Sequence, residues 1–96
     1  MIIRIVKLII YREKVDEFQL FFEKTKPGIG NFIGCSHVEL LKETKQGNVF
    51  FTYSHWKNEE MLQNYRNSIF FQDIWKNTKT YLSGKPEAWS LNKIDL

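Results

Sequence analysis

The stretch NVFFTYSHW, residues 48–56, constrains the fold more than any other part of this chain. Its β-branched and aromatic residues favour extended backbone, in which successive side chains point to opposite faces. One alternate set is Val49, Phe51, Tyr53 and His55; the other is Phe50, Thr52, Ser54 and Trp56. A strand with one wet face carries polar residues at every second position. Large aromatics in both sets require both faces of the sheet to be covered. The chain has 96 residues, enough for one domain spanning residues 1–96 but not for two cores.

The flanking segments say what can do the covering. Residues 2–11 read as a first strand, Ile- and Val-rich, again with apolar residues in both period-2 sets. Residues 14–26 switch to a helical period, with Val15, Phe18, Phe22 and Thr25 on one face and Asp16 and Glu17 in the first turn. Pro27-Gly28 should end or kink this helix. Residues 36–44 form a second strand, and Gln46-Gly47-Asn48 a tight turn into the third. Asn58 and Ser68 are N-caps for two further helical segments, carrying Leu62, Tyr65 and Ile69, then Phe71, Trp75, Thr78 and Leu82. Gly84-Lys85-Pro86 stops the second of these, and residues 87–95 make a last strand. Strand, helix, strand, strand, helix, strand is the order of an α+β, ferredoxin-like split βαβ fold. Its four-stranded antiparallel sheet carries both helical layers on one face. The other face is too apolar here to stay wet, and an identical chain across a two-fold axis is the most economical cover.

Charge and cysteine content exclude several classes. The net charge is +3, but the basic residues are scattered, and Glu43 interrupts the densest pair, Lys42 and Lys45. No basic stripe with interleaved aromatics is present, so nucleic acid is not an expected partner. Cys35 is the single cysteine, which rules out an internal disulfide and fits a reducing compartment. The opening MIIRIVKLII carries Arg4 and Lys7, lacks a cleavage site and is too short to span a membrane. A cytoplasmic protein without membrane attachment is the expectation.

The chain resembles the antibiotic biosynthesis monooxygenase family of dimeric α+β barrels over nearly its whole length. The resemblance is carried by Gly34-Cys35, Glu39-Leu40, Tyr53, Trp56 and the segment WKNEEMLQNYRNSIFF, in that order and spacing. It implies a homodimer in which two sheets close into a barrel, with a pocket between helices and sheet in each protomer. Several members oxidise polyketides, quinols or anthrones with O₂ and no metal or flavin, so no cofactor is implied. A family pattern similar to His-Leu-x-Ser-Pro-His-Phe, aligned on Ser68 and Phe71, puts Tyr65 and Phe70 where histidines stand. The haem-degrading branch resembles an Asn, Trp, His set that falls here on Val6, Tyr65 and Trp75. None of the three is kept, and without an imidazole for the iron haem degradation is disfavoured.

Oxygenation without a cofactor needs a phenol or enol made electron-rich by deprotonation, an apolar pocket for the rings and exclusion of bulk water. A hairpin closing around Gln46-Gly47 would set His37 opposite Trp56, Glu39 opposite Ser54 and Leu41 opposite Thr52. This mixed row is the better candidate for a pocket wall, and Val38, Leu40, Phe51 and Tyr53 for packing. A slip of one residue would undo that assignment. His37 and Tyr65 are the catalytic candidates. Glu39, Thr52, Ser54, Trp56, Phe22, Phe71 and Trp75 are candidates for binding a small aromatic ligand. Against these stand plainer readings: His37 a half-exposed strand histidine, Glu39 a structural acceptor paired with Ser54, Tyr65 and Trp75 core residues. His37 and His55 fall on opposite faces of the sheet in this register, so a shared metal site is not expected.

Two functional readings follow: an oxygenase, or a non-catalytic ligand-binding or stress-associated barrel that keeps the pocket without the acid-base set. Acylphosphatase shares the size and strand order, but Arg12 has no glycine-rich anion cradle around it.

Overall fold

The computed structural model describes residues 1–96. Strands β1 (Ile2–Ile9), β2 (Cys35–Lys42), β3 (Val49–Trp56) and β4 (Glu87–Asn92) form one antiparallel sheet in the order β2-β3-β1-β4. Helices α1 (Val15–Gly30), α2 (Glu59–Arg66) and α3 (Ile69–Lys79) complete the ferredoxin-like α+β fold, with a short 3-10 turn at Arg12–Lys14 before α1. No helix is long and apolar enough to cross a membrane.

The caps act as the sequence predicts. The Asn58 side chain accepts from the Met61 N–H at 2.9 Å, and Ser68 Oγ accepts from the Phe71 N–H at 3.0 Å. Each satisfies a first-turn donor that the helix itself cannot.

Of the two outcomes expected at Pro27-Gly28, an end or a kink, the end does not occur. The helix runs through Pro27 to Gly30, and the Asn31 N–H still reaches the Pro27 carbonyl at 3.0 Å. Pro27 removes one donor, but it sits on the exposed side, where water can serve the freed carbonyl. Ile29, 6% exposed, anchors the last turn in the core. Gly28 lets α3 approach: a Cβ there would stand 2.6 Å from Phe70 Cζ.

The β2–β3 hairpin also differs from expectation. It closes through a six-residue loop, Glu43 to Asn48, in place of a tight turn at Gln46-Gly47. The Glu43 N–H bonds to the Val49 carbonyl at 2.9 Å, and the Glu43 carboxylate accepts from the backbone of Lys45 and Gln46. The register is therefore His37↔His55, Glu39↔Tyr53, Leu40↔Thr52 and Leu41↔Phe51, with an irregularity between Cys35 and His37. A shift of one residue exchanges the expected rows, because side chains alternate with period two. His37, Glu39 and Leu41 share a face with Phe51, Tyr53 and His55, while Val38 and Leu40 join Thr52, Ser54 and Trp56. The two histidines are cross-strand neighbours, their ring centroids 5.2 Å apart.

The helices cover the face that carries Trp56. Two core clusters lie beneath them: Phe22, Ile29, Val38, Trp56, Leu62 and Tyr65 in one, Leu8, Ile10, Phe18 and Phe50 in the other. The opposite face has no helix. In register across it stand Ile5, Tyr53 and Trp89, then Ile3, His55 and Leu91; Trp89 and Leu91 are 42% and 44% exposed.

One backbone position is sharply constrained. Gly34, before β2, has φ +93°, and a Cβ there would meet Met61 Cβ at 2.5 Å. Gly34→Ala should therefore destabilise the fold by about 1–3 kcal/mol, through backbone strain and displacement of α2. Urea unfolding measures it, and an unchanged midpoint would contradict this account.

Candidate functional site

Between the helices and the sheet lies a cavity of about 400 Å³. Its floor comes from alternate residues of β1 and β3: Arg4, Val6 and Leu8 on one strand, Thr52, Ser54 and Trp56 on the other. Cross-strand pairing of Arg4 with Ser54 and of Val6 with Thr52 sets these side by side. The walls are apolar, with Phe22 from α1, Tyr65 from α2, and Phe71 and Trp75 from α3. Phe71 and Trp75 lie one turn apart and stack, with centroids 6.3 Å apart and planes 7° from parallel. Tyr65 stacks on Trp56 at 4.6 Å and meets the Phe71 ring edge-on at 5.0 Å. A cavity of this volume, walled by aromatics with few polar groups, has the proportions of a small-molecule site.

Most polar groups in it are neutral or cationic. Trp56 Nε1–H donates to Ser54 Oγ at 2.9 Å, which fixes the indole and satisfies its only donor. Arg4 donates to Ser90 Oγ at 2.9 Å, across the β1–β4 pair. Burial lowers the Arg4 pKa; Arg66 pushes in the same direction, and Glu59 partly opposes them. Arg66 lines the cavity with Arg4. Burial pushes the Tyr65 hydroxyl well above the ordinary phenol range, with a smaller contribution from nearby Cys35. Tyr65 is therefore neutral at physiological pH and can donate a proton only into a hydrogen bond. The Cys35 thiol is also raised by burial, partly offset by a backbone hydrogen bond from His37. It is not poised as a nucleophile.

The structure gathers seven of the nine candidate residues around this space: Phe22, Thr52, Ser54, Trp56, Tyr65, Phe71 and Trp75. His37 and Glu39 stand apart, on the sheet face away from the helices. There His37 Nε2 lies 3.4 Å from Glu39 Oε1, and the His37 ring meets the Tyr53 ring edge-on at 6.1 Å. Glu39 faces Tyr53 across the hairpin, in place of the expected Ser54. The one-residue change of register accounts for both displacements. Val6, Tyr65 and Trp75 all reach the cavity, but its lining contains no His, Cys or Met, so it offers no imidazole, thiolate or thioether to a haem iron. Sequence reasoning missed Arg4 and Arg66. Arg4 alternates in step with Val6 and Leu8, but only the burial of Leu8 in the structure marks that face as the covered one.

Solved structures place this architecture among known ones. A conserved protein from Methanosarcina mazei superposes with a TM-score of 0.89 at 23% identity, over 98% of this chain and 94% of that one. A crystal structure of an antibiotic biosynthesis monooxygenase gives 0.90 at 13% identity, over 99% and 100%. A protein from Mycobacterium tuberculosis gives 0.87 at 12% identity, over 99% and 96%. At these identities the likeness speaks for the fold alone. No match was found among curated proteins. Residues 1–77 match the family model for antibiotic biosynthesis monooxygenases, which takes in β1 to α3 and nearly all of the cavity lining, and the chain belongs to that family.

Proposed function

We propose that the protein is a cofactor-independent monooxygenase acting on a small aromatic substrate of the quinol, anthrone or polyketide kind. The observation that carries this reading is the aromatic-walled cavity of about 400 Å³, sized for a few fused rings. For an anthrone the reaction balances without an outside reductant. Loss of a proton from the ring methylene gives an electron-rich anion, and this reduces O₂ and combines with it as a peroxide. Breaking the O–O bond with loss of the second methylene hydrogen leaves a carbonyl and releases water. The CH₂ group supplies all four electrons. The protein has only to bind the rings, stabilise negative oxygen and keep bulk water out. Phe22, Phe71 and Trp75 would hold the ring system, Thr52 and Ser54 the substrate oxygens, and neutral Tyr65 would donate to the developing anion.

The same cavity gives some support to a second reading, a non-catalytic ligand-binding protein. No histidine lines it, and its only carboxylate, Glu87, is exposed on β4. Oxygen uptake separates the two. With anthrones or quinols, and no flavin, metal or nicotinamide, the protein should consume O₂ beyond the uncatalysed rate, and Tyr65→Phe should slow it by about tenfold or more. Uptake indistinguishable from buffer across such a panel would remove the oxygenase reading.

Tyr65→Phe has a second readout. Because the folded-state pKa of Tyr65 is raised, its contribution is fully present below the unfolded phenol value of about 10 and is lost as pH rises above it. Denaturation midpoints should therefore fall at alkaline pH, and less steeply in Tyr65→Phe. Equal slopes would contradict a buried neutral hydroxyl.

We also propose a homodimer closed through the helix-free sheet face. Ile3, Ile5, Phe51, Tyr53, Trp89 and Leu91 make that face apolar, and patches of this kind mark protein interfaces. His55 Nε2 on the same face is buried without a hydrogen-bond partner. Tyr53→Asp would place a charge at the centre of the patch. Light scattering should show monomers, or the protein should become insoluble; an intact dimer would exclude this face.

A further inference from the structure

Two cations line the cavity and its one carboxylate, Glu87, is exposed on β4, which bears on the form in which a ligand enters. Arg4 is half-buried on the covered face of β1, and Arg66 ends α2 beside it. The Arg4 side chain donates to neutral Ser90, and Arg66 makes one long bond of 3.5 Å to Gln63. Neither guanidinium has a carboxylate within 4.0 Å, because the protein's one short ion pair is His37–Glu39 on the other face. Of the carboxylates nearby, Glu59 acts on Arg4 from beyond that distance while accepting from Gln63 at 2.7 Å, and exposed Glu87 lies opposite Lys7. Two like charges at the edge of an apolar space repel each other, half-buried Arg4 also loses solvation, and an incoming anion relieves both effects. A guanidinium has five donors in a planar fork, so Arg4 keeps most of its capacity after the bond to Ser90.

We infer that the cavity takes its ligand as an anion, with a flat aromatic body against Phe22, Phe71 and Trp75 and a carboxylate, phenolate or enolate oxygen held by Arg4 and Arg66. This rests on reading the cavity as the substrate site and narrows the substrate class to aromatics that are acids or readily become them. It also removes the need for a base inside the cavity. Two cations lower the pKa of a bound phenol or enol, so the proton is released to solvent as the anion binds.

Titration calorimetry with naphthoate and naphthamide, which share a ring system and differ in charge, tests this. The acid should bind about ten- to a hundredfold more tightly than the amide, the span expected for hydrogen bonds to a charged group. Added salt should weaken the acid alone. Arg4→Gln and Arg66→Gln should each draw the ratio towards one, by weakening the acid far more than the amide. Arg66 is exposed at a helix end, so its variant tests the proposal even if Arg4→Gln fails to fold. Equal affinities, a ratio that survives in the folded variants, or no binding of either probe would overturn the inference. Naphthoate binding involves no O₂ chemistry. Selective binding without oxygen uptake on quinols would therefore leave the anion site standing and remove the oxygenase, and uptake without selectivity would do the reverse.

Discussion

The register of β3 between its neighbours decides nearly everything else in this molecule. Ile2, Arg4, Val6 and Leu8 pair with Trp56, Ser54, Thr52 and Phe50, and all eight point towards the helices. Phe50 and Trp56 close the two ends of that row, each 1% exposed. Burying a large apolar side chain is worth about 1.5–3 kcal/mol, so slipping the strand by one residue would forfeit both anchors together. It would also carry Phe51 and Tyr53 into the cavity and Ser54 out of it. One alternation thus fixes the packing, the polar strip on the cavity floor and the apolar character of the bare face.

β2 is an edge strand, and its irregularity has consequences for chemistry. The break in register between Cys35 and His37 lets Cys35 pair with Trp56 while His37 pairs with His55. His37, Tyr53 and His55 then cluster on the outer face, with neighbouring ring centroids 5.0 to 6.1 Å apart. The cavity keeps an apolar Val38 in place of an imidazole.

How far the fold was legible in the sequence follows from the same distinction. Element order, both N-caps and the sorting of Thr52, Ser54 and Trp56 onto one face depend on local spacing, and spacing is visible in a string of letters. The β2–β3 register depends on how Glu43 folds its carboxylate back onto Lys45 and Gln46, which lengthens the loop beyond the tight turn that Gly47 suggests. That is a competition between turn conformations separated by small energies, and residue types alone do not decide it. Pro27 misleads for a related reason: its penalty depends on whether the orphaned carbonyl is exposed, which only the packed structure settles. Aromatic residues of the site were legible because helical periodicity marks them as inward-facing. Arg4 was not, because in an Ile-rich strand a lone arginine reads as a solvated interruption until its neighbours on both sides are known.

The charges lining the cavity bear on the kind of catalysis it can support. A base buried among Phe71, Trp75 and Tyr65 would itself have to be desolvated, and a buried carboxylate would tend to take up a proton and lose its function. Cations lining the cavity avoid this difficulty, because guanidinium stays protonated even when half-buried. Their effect is exerted on the ligand, whose anion gains what the empty site lacks. In the proposed reaction the electrons for O₂ come from the substrate, and the aromatic walls hold its rings flat. A site of this design would select through ligand acidity as much as through shape: a neutral polycycle of the same outline would fill the cavity without gaining from the charge of either guanidinium.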